Sequence, residues 1–149
     1  MEKINIGKTS AWNSEEIVTY LHQTIAPCRL SSISKNGFPN VTSLWYVYDD
    51  GHMLFSARSN STICKRLRVN NKVGFEVAKD APPYKGVRGI GIATLKASSE
   101  VPILATLITR YLGNTDSKLA KWLLSKPENE STICLKVERI TSWDYSKRM

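Results

Sequence analysis

A polar loop followed by a basic segment is the part of this chain whose residue types best suit chemistry. The loop covers residues 58–62, Arg-Ser-Asn-Ser-Thr, and a basic amphipathic segment follows it at residues 63–69. Hydroxyl groups and free backbone N–H groups at the start of a helix favour a bound anion, and the helix dipole adds to this. Arg58, Lys65 and Arg66 lie within side-chain reach of such an anion. On spacing alone, an ordinary hairpin followed by a capped surface helix is favoured over a phosphate site.

The overall composition is that of a globular protein with a basic surface. Hydrophobic residues make up 42% of the 149 residues and charged residues 23%, as in ordinary globular domains. This length favours a single domain over residues 1–149. The net charge of +8 suits a phosphorylated cofactor or an anionic small-molecule substrate. The charges are scattered along the chain, which argues against nucleic acid as the partner.

Several other classes of function lack their sequence signals. No apolar run reaches the roughly 18 residues of a membrane span, and the first residues lack the apolar core of a secretory signal. We therefore expect a cytoplasmic protein with no membrane partner. Cys28, Cys64 and Cys134 have no metal-ligand spacing, so we expect reduced thiols and no metal site. Without a Walker loop or a dinucleotide fingerprint, an enzyme of this sequence would need a bound cofactor for the difficult step.

The elements that must position the loop are predicted to be mostly strands. Alternating apolar residues and turn signals predict short strands, in the runs 28–34, 41–48, 53–57, 73–77, 87–97, 133–137 and 139–145. The first three runs are joined by short turns and are expected to form a meander. Gly89 and Gly91 inside the long run at 87–97 predict a bulge, a barrel corner or a close approach of a ligand or backbone.

Three helices are predicted besides the basic segment. The first begins at a cap on Asn13 and ends at Pro27, and its apolar face contains Ile17, Leu21 and Ile25. The second is expected to be capped at residues 98–100 and to end at Gly113. The third starts at Asp116 and carries Leu119, Trp122 and Leu123. Short antiparallel strands with few helices favour a closed or nearly closed barrel.

The order of these segments resembles the FMN-binding split-barrel family, which is related to pyridoxamine 5′-phosphate oxidase. The segments that carry the resemblance are Phe38-Pro39-Asn40-Val41, Leu44-Trp45-Tyr46, Asp49-Asp50-Gly51, Leu54-Phe55-Ser56, Lys65-Arg66-Leu67, Pro83-Tyr84 and Ser142-Trp143-Asp144-Tyr145. The resemblance implies a mainly β fold with peripheral α-helices, namely a six-stranded antiparallel split β-barrel of Greek-key type. It also implies a homodimeric oxidoreductase that holds FMN at the subunit interface and acts on a small molecule.

The resemblance further implies which residues bind the cofactor. The flavin ring would lie against the backbone of four consecutive residues, Thr42, Ser43, Leu44 and Trp45. The phosphate would be held by Ser56, Arg58, Ser61 and Thr62. Trp143 of the partner subunit would help to close the cleft. The possible substrate contacts are Tyr46, Tyr84 and Arg88, although a structural role is favoured for each. No side chain is assigned as catalytic acid or base.

Two positions depart from the pattern of that family. Thr62-Ile63 stands where many relatives carry an Arg-Lys pair directly after the loop serine. Arg58 or Lys65 would therefore have to supply the positive charge. Val41 stands near an arginine position of the oxidase proper, which argues against pyridoxamine phosphate as the substrate. The alternatives left open are a deazaflavin-dependent reductase on the same fold and a flavin- or heme-binding module without turnover.

Overall fold

The computed structural model of the protein describes residues 4–149, and within them one antiparallel sheet is surrounded by short helices. The strands are β1 Cys28–Ile33, β2 Pro39–Leu44, β3 Val47–Asp49, β4 His52–Arg58, β5 Lys72–Ala78, β6 Lys85–Ala97 and β7 Glu130–Asp144. The helices are α1 Ser14–Gln23, α2 Thr62–Val69, α3 Leu104–Leu112 and α4 Lys118–Leu123, followed by a 3-10 turn at Pro127–Asn129. None of the helices in this described part is long and apolar enough to cross a membrane.

The sheet is curled because its two edge strands follow each other in the chain. The strand order is β2-β1-β5-β6-β7-β4-β3, and every neighbouring pair is antiparallel. The step from Leu44 at the end of β2 to Val47 at the start of β3 spans at most about 10 Å. The opposite edges of the sheet must therefore approach each other, although they do not pair. The predicted mainly β, antiparallel fold is confirmed, whereas the count of six strands is wrong because the sheet has seven.

The division of residues 41–48 into two strands accounts for part of this difference. The sequence predicts one strand there, but the chain leaves the sheet at Trp45 and Tyr46. Tyr46 is fully buried, and its hydroxyl lies 2.7 Å and 2.8 Å from the carbonyl oxygens of Leu21 and Thr24. Its backbone N–H donates to the Tyr111 hydroxyl at 3.2 Å. These contacts replace the ladder at this point, so the predicted meander becomes two hairpins at opposite edges.

The interior of the curled sheet is filled by side chains from alternate strand positions and from two helices. The buried strand residues include Leu30, Met53, Phe55, Phe75, Val77, Ile133 and Leu135, and the helices contribute Ile17, Leu21, Ile63, Cys64 and Leu67. Helix α2 therefore presents one face to the core and begins at the surface. Ile25 was predicted to extend the apolar face of α1, but it lies beyond the end of that helix and is 55% exposed.

Two further boundaries differ from the sequence-based expectation. Residues 98–100 form a turn rather than a helix cap, and the Ser98 hydroxyl donates to the carbonyl oxygen of Pro127 at 2.6 Å. Helix α3 begins later, at Leu104, without a side-chain cap. The predicted end at Gly113 is confirmed, because this residue has a positive φ of 88°. The predicted runs 133–137 and 139–145 are one continuous strand, β7.

The pairing of the two long strands β6 and β7 contains a β-bulge beside Gly91. The register changes between the pairs Ile90–Arg139 and Gly91–Val137, so that β7 has one extra residue there. A Cβ atom on Gly91 would overlap the carbonyl oxygen of Lys136. The glycine therefore allows the two backbones to approach closely, as the sequence predicted.

Replacement of Gly91 by alanine is expected to lower the free energy of unfolding by about 3 kcal/mol, because the new methyl group forces the two strands apart. Thr94→Ala is the control, since Thr94 is an exposed residue of the same strand. This control should lower stability by no more than about 1 kcal/mol. Urea unfolding at one fixed protein concentration measures both. Equal effects of the two changes would show that the close approach at Gly91 is not what requires glycine.

Candidate functional site

The sheet is interrupted between the β2–β3 junction and the second half of β4, where the two segments do not pair, and we call this interruption the split. Strand β3 pairs only with residues 52–54 of β4, and Val47 lies opposite Leu54. The rest of β4, up to Arg58, has a strand neighbour only on its β7 side. If β3 continued to pair with β4 in the same register, Trp45 would lie opposite Ser56. The chain turns away instead, so the end of β4 borders an open edge of the sheet.

The residues predicted to line a flavin ring lie on the edge strand beside this split. Thr42, Ser43 and Leu44 end β2, which has a strand neighbour only on its β1 side. Their backbone is thus on the side of the sheet where a ligand could complete the hydrogen bonding. Trp45 follows and stacks on Tyr111, with ring centroids 5.0 Å apart and an angle of 4° between the ring planes.

Four of the residues predicted to bind phosphate have their backbone close together where helix α2 begins. Ser61 is the N-cap, and its hydroxyl oxygen accepts a hydrogen bond from the Cys64 N–H at 3.4 Å. The Ser61 N–H donates to the Arg58 carbonyl oxygen at 2.9 Å, which closes a tight turn and keeps their Cα atoms within about 7 Å. Thr62 and Lys65 belong to the first turn of the helix, and both are exposed.

The loop that carries these residues is fixed by its neighbours. The Ser59 N–H donates to the Asn129 carbonyl oxygen at 2.8 Å, and the hydroxyls of Ser59 and Ser131 lie 2.7 Å apart. The Ser59 carbonyl oxygen accepts from the Arg68 guanidinium at 2.8 Å. The backbone that would face an anion is therefore already ordered, which reduces the entropic cost of binding.

Ser56 has a different environment from the other predicted phosphate ligands. Its hydroxyl donates to a carboxylate oxygen of Glu130 at 3.2 Å. The register of β4 and β7 also places Arg58 opposite Glu130. An anion beside Ser56 would face this carboxylate, so Ser56 suits a phosphate group less well than the start of α2 does.

The groups at the start of α2 have the chemistry that a phosphate ester requires. Arg58 and Lys65 supply positive charge, Ser61 and Thr62 supply hydroxyl donors, and the first turn of α2 supplies backbone N–H groups. Such a set of donors matches a phosphate dianion. The phosphate end of a flavin mononucleotide therefore fits the side chains present, although Glu130 is an opposing charge across from Arg58.

Sequence reasoning missed the residues that hold the predicted ring segment in place. The Arg110 guanidinium donates to the carbonyl oxygens of Leu21, His22 and Thr24, each at 2.9 Å. The Tyr111 hydroxyl donates to the Ala26 carbonyl oxygen at 2.7 Å. The only signal in the sequence is a pair of polar residues at the end of an otherwise apolar helix.

Tyr46 was named as a possible substrate contact with a structural role favoured, and its full burial agrees with the structural role. Burial raises the pKa of its phenol above the ordinary value, although the nearby Arg110 opposes the shift. The phenol therefore remains a protonated donor to backbone carbonyl groups. Burial likewise raises the pKa of the Cys28 thiol to about 12, so this cysteine is a packed thiol rather than a nucleophile. Within residues 4–149, no group of three or more His, Cys, Asp and Glu side chains could hold a metal ion.

A concave region lies on the outer face of the sheet, which is the face opposite the core. A hollow of about 660 Å³ is lined there by residues of five strands, among them Arg29, Val41, Gly74, Arg88, Ile90 and Arg139. The Arg88 guanidinium lies 4.7 Å from the centre of the Trp143 ring. Tyr84, another predicted substrate contact, borders an adjoining depression with Trp143 and is 44% exposed. Trp143 and Arg88 are thus on the outer face, away from the turn at Ser61.

The comparison with protein families gives one match that covers most of the chain. The family model described as pyridoxamine 5′-phosphate oxidase matches residues 14–144. No curated protein matches the sequence significantly.

Several solved structures share the fold at low sequence identity. A conserved hypothetical protein from Mycobacterium tuberculosis is 20% identical, with a TM-score of 0.78 over 99% of this chain and 92% of its own. A protein named F420 reductase is 15% identical, with a TM-score of 0.69 over 81% of this chain and 93% of its own. A protein from Mesorhizobium loti described as FAD-binding is 20% identical, with a TM-score of 0.65 over 88% of this chain and 94% of its own.

Proposed function

This chain belongs to the pyridoxamine 5′-phosphate oxidase family, and we propose that it is a cytoplasmic, homodimeric flavoprotein that binds FMN and acts as an oxidoreductase on a small molecule. The observation that carries the proposal is the cluster of donors at the start of α2, directly beside the split in the sheet. The FAD-binding description of a protein with the same fold supports a flavin.

Each side of the split would hold one part of the cofactor. Arg58, Ser61, Thr62 and Lys65 would bind the phosphate through charge and hydroxyl donors. The backbone of residues 42–45 would hydrogen-bond to the ring along the unpaired edge of β2. Trp45 is kept in place by its stacking on Tyr111. Its side chain would therefore exclude water from one side of the flavin ring. A bound flavin would supply the hydride or electron transfer.

A deazaflavin is the second candidate cofactor, and one observation favours it. The fold matches a protein named F420 reductase over 81% of this chain. A deazaflavin with a longer anionic tail would use the same donors at Arg58 and Lys65. The net charge of +8 suits either cofactor equally.

The outer face of the sheet is the surface that we propose for the homodimer. Val41 and Ile90 lie in one row across the sheet and are 70% and 45% exposed. They border the hollow described above, next to Arg88, whose guanidinium lies over the ring of Trp143. A second copy that covered these apolar side chains would bring Trp143 to the interface, where the resemblance expects it to help close the partner's cleft.

The first test of the proposal is the absorption spectrum of the purified protein, followed by mass analysis of any small molecule released on unfolding. Flavin bands and the mass of FMN are expected. A deazaflavin or heme spectrum would keep the fold and replace the cofactor. A colourless protein that also takes up none of these added cofactors would contradict the proposal. If a cofactor is bound, steady-state reduction by a nicotinamide cofactor distinguishes an enzyme from a carrier.

Replacement of Arg58 by alanine is expected to weaken FMN binding by roughly 1–3 kcal/mol, or about 5- to 150-fold in dissociation constant, because a charge-assisted phosphate contact is lost. Riboflavin, which lacks the phosphate, should bind both forms equally. Lys35→Ala removes an exposed charge at the β1–β2 turn and is the control. Titration followed by quenching of flavin fluorescence gives the constants. If Arg58→Ala binds FMN like the native chain, the phosphate lies elsewhere.

The dimer surface has its own test. The double change Val41→Asp and Ile90→Asp places two buried charges in the proposed interface, and it is expected to convert the dimer into monomers. Leu119→Asp is the matched control, because Leu119 is also an exposed apolar residue, at 49%, but lies on α4. Sedimentation velocity measures the mass of each form. A native chain that is monomeric would contradict the homodimer, and a dimer that survives the double change would place the interface on another surface.

A further inference from the structure

An aromatic side chain on α4 lies against the arginine that we assign to the phosphate. The Arg58 guanidinium carbon is 5.5 Å from the centre of the Trp122 ring. Trp122 is 60% exposed, so its contribution to the core is small. The sequence had placed it with the apolar residues of a short helix, but the buried residue of that helix is Ala120.

The position of Trp122 is set by the ends of its own helix. The Ser117 hydroxyl caps the start of α4 by accepting from the Ala120 N–H at 3.1 Å. The Ser125 hydroxyl donates to the Trp122 carbonyl oxygen at 2.6 Å. The 3-10 turn at Pro127–Asn129 follows and leads into β7 at Glu130, which lies opposite Arg58. This short, hydrogen-bonded connection thus places the indole ring next to Arg58.

We propose that Trp122 is a positioning residue, which holds the Arg58 guanidinium in the orientation that binds the anionic group of the cofactor. This inference rests on the function proposed above. A cation–π contact with the indole ring leaves the N–H groups of a guanidinium, which lie around its edge, able to bind a phosphate. An arginine that is already ordered also loses less rotamer freedom when the ligand arrives.

The surroundings of Arg58 explain why such positioning matters. The loop beyond it is fixed through the contacts of Ser59, whereas Arg58 is an exposed and long side chain of the phosphate site, as is Lys65. Glu130 is the cross-strand neighbour of Arg58. The negative charge of Glu130 would attract the guanidinium and so compete with a ligand for it. The indole ring of Trp122 offers a second surface that competes with this carboxylate while leaving the donors of Arg58 available.

Trp122 acts through Arg58 in this arrangement, so its effect must depend on both the phosphate and the arginine. Trp122→Ala is expected to raise the dissociation constant for FMN by about 3- to 10-fold, the range of a lost cation–π interaction. Trp122→Phe should recover part of the affinity. Riboflavin binding should be unchanged. In an Arg58→Ala background, the further change Trp122→Ala should have no additional effect, which is the non-additivity expected of coupled residues.

The control is Leu119→Ala, which shortens another exposed apolar side chain on α4, and thermal unfolding of each variant confirms that it is folded. Two results overturn the inference alone: native affinity for FMN in Trp122→Ala, or an effect that persists in the Arg58→Ala background. Equal weakening of riboflavin would instead make Trp122 a direct contact of the ring and would also overturn it. If the native chain binds neither FMN nor a deazaflavin, the proposed function fails first, and the positioning role fails with it.

Discussion

The buried hydroxyl of Tyr46 is the interaction on which the shape of this sheet depends. It lies between the two edge strands and shares its proton between the carbonyl oxygens of Leu21 and Thr24, at the end of α1. Arg110 donates to the same two carbonyl groups and lies 5.0 Å from the Tyr46 ring. Because helix-end carbonyls buried without donors are costly, the two side chains satisfy α1 and hold the sheet edges together at the same time.

The same cluster also defines the candidate site. Tyr111 accepts from the Tyr46 backbone N–H and stacks on Trp45, so the segment beside the split is held from α3. On the other side, β4 is held by β7, and the start of α2 is held by the contacts of Ser59. The two sides of the split are therefore fixed separately.

Local patterns in the sequence predicted most of the fold but not where the chain changes direction. The cap at Asn13, the end of α3 at Gly113 and the bulge beside Gly91 each have a local cause, and each is confirmed. The break at Tyr46 has a tertiary cause, because its partners are 22 to 65 residues away in the chain. An alternating run of residues 41–48 contains no sign of these distant contacts. The members of the site at α2 were likewise visible in the sequence, whereas Trp122 and Glu130 became neighbours of Arg58 only through β7.

The positive charge of the candidate phosphate site is arranged differently from the family pattern suggested by the resemblance. Thr62-Ile63 stands in place of an Arg-Lys pair, and the charges flank the loop serine instead, with Arg58 before it on β4 and Lys65 one helical turn after it. A charge on β4 depends on what surrounds that strand, which here is Glu130 on β7 and Trp122 on α4. Under the proposed function, phosphate affinity would therefore depend on the segment between β6 and β7 as well as on α2. A change in that segment could alter cofactor binding without touching the cofactor.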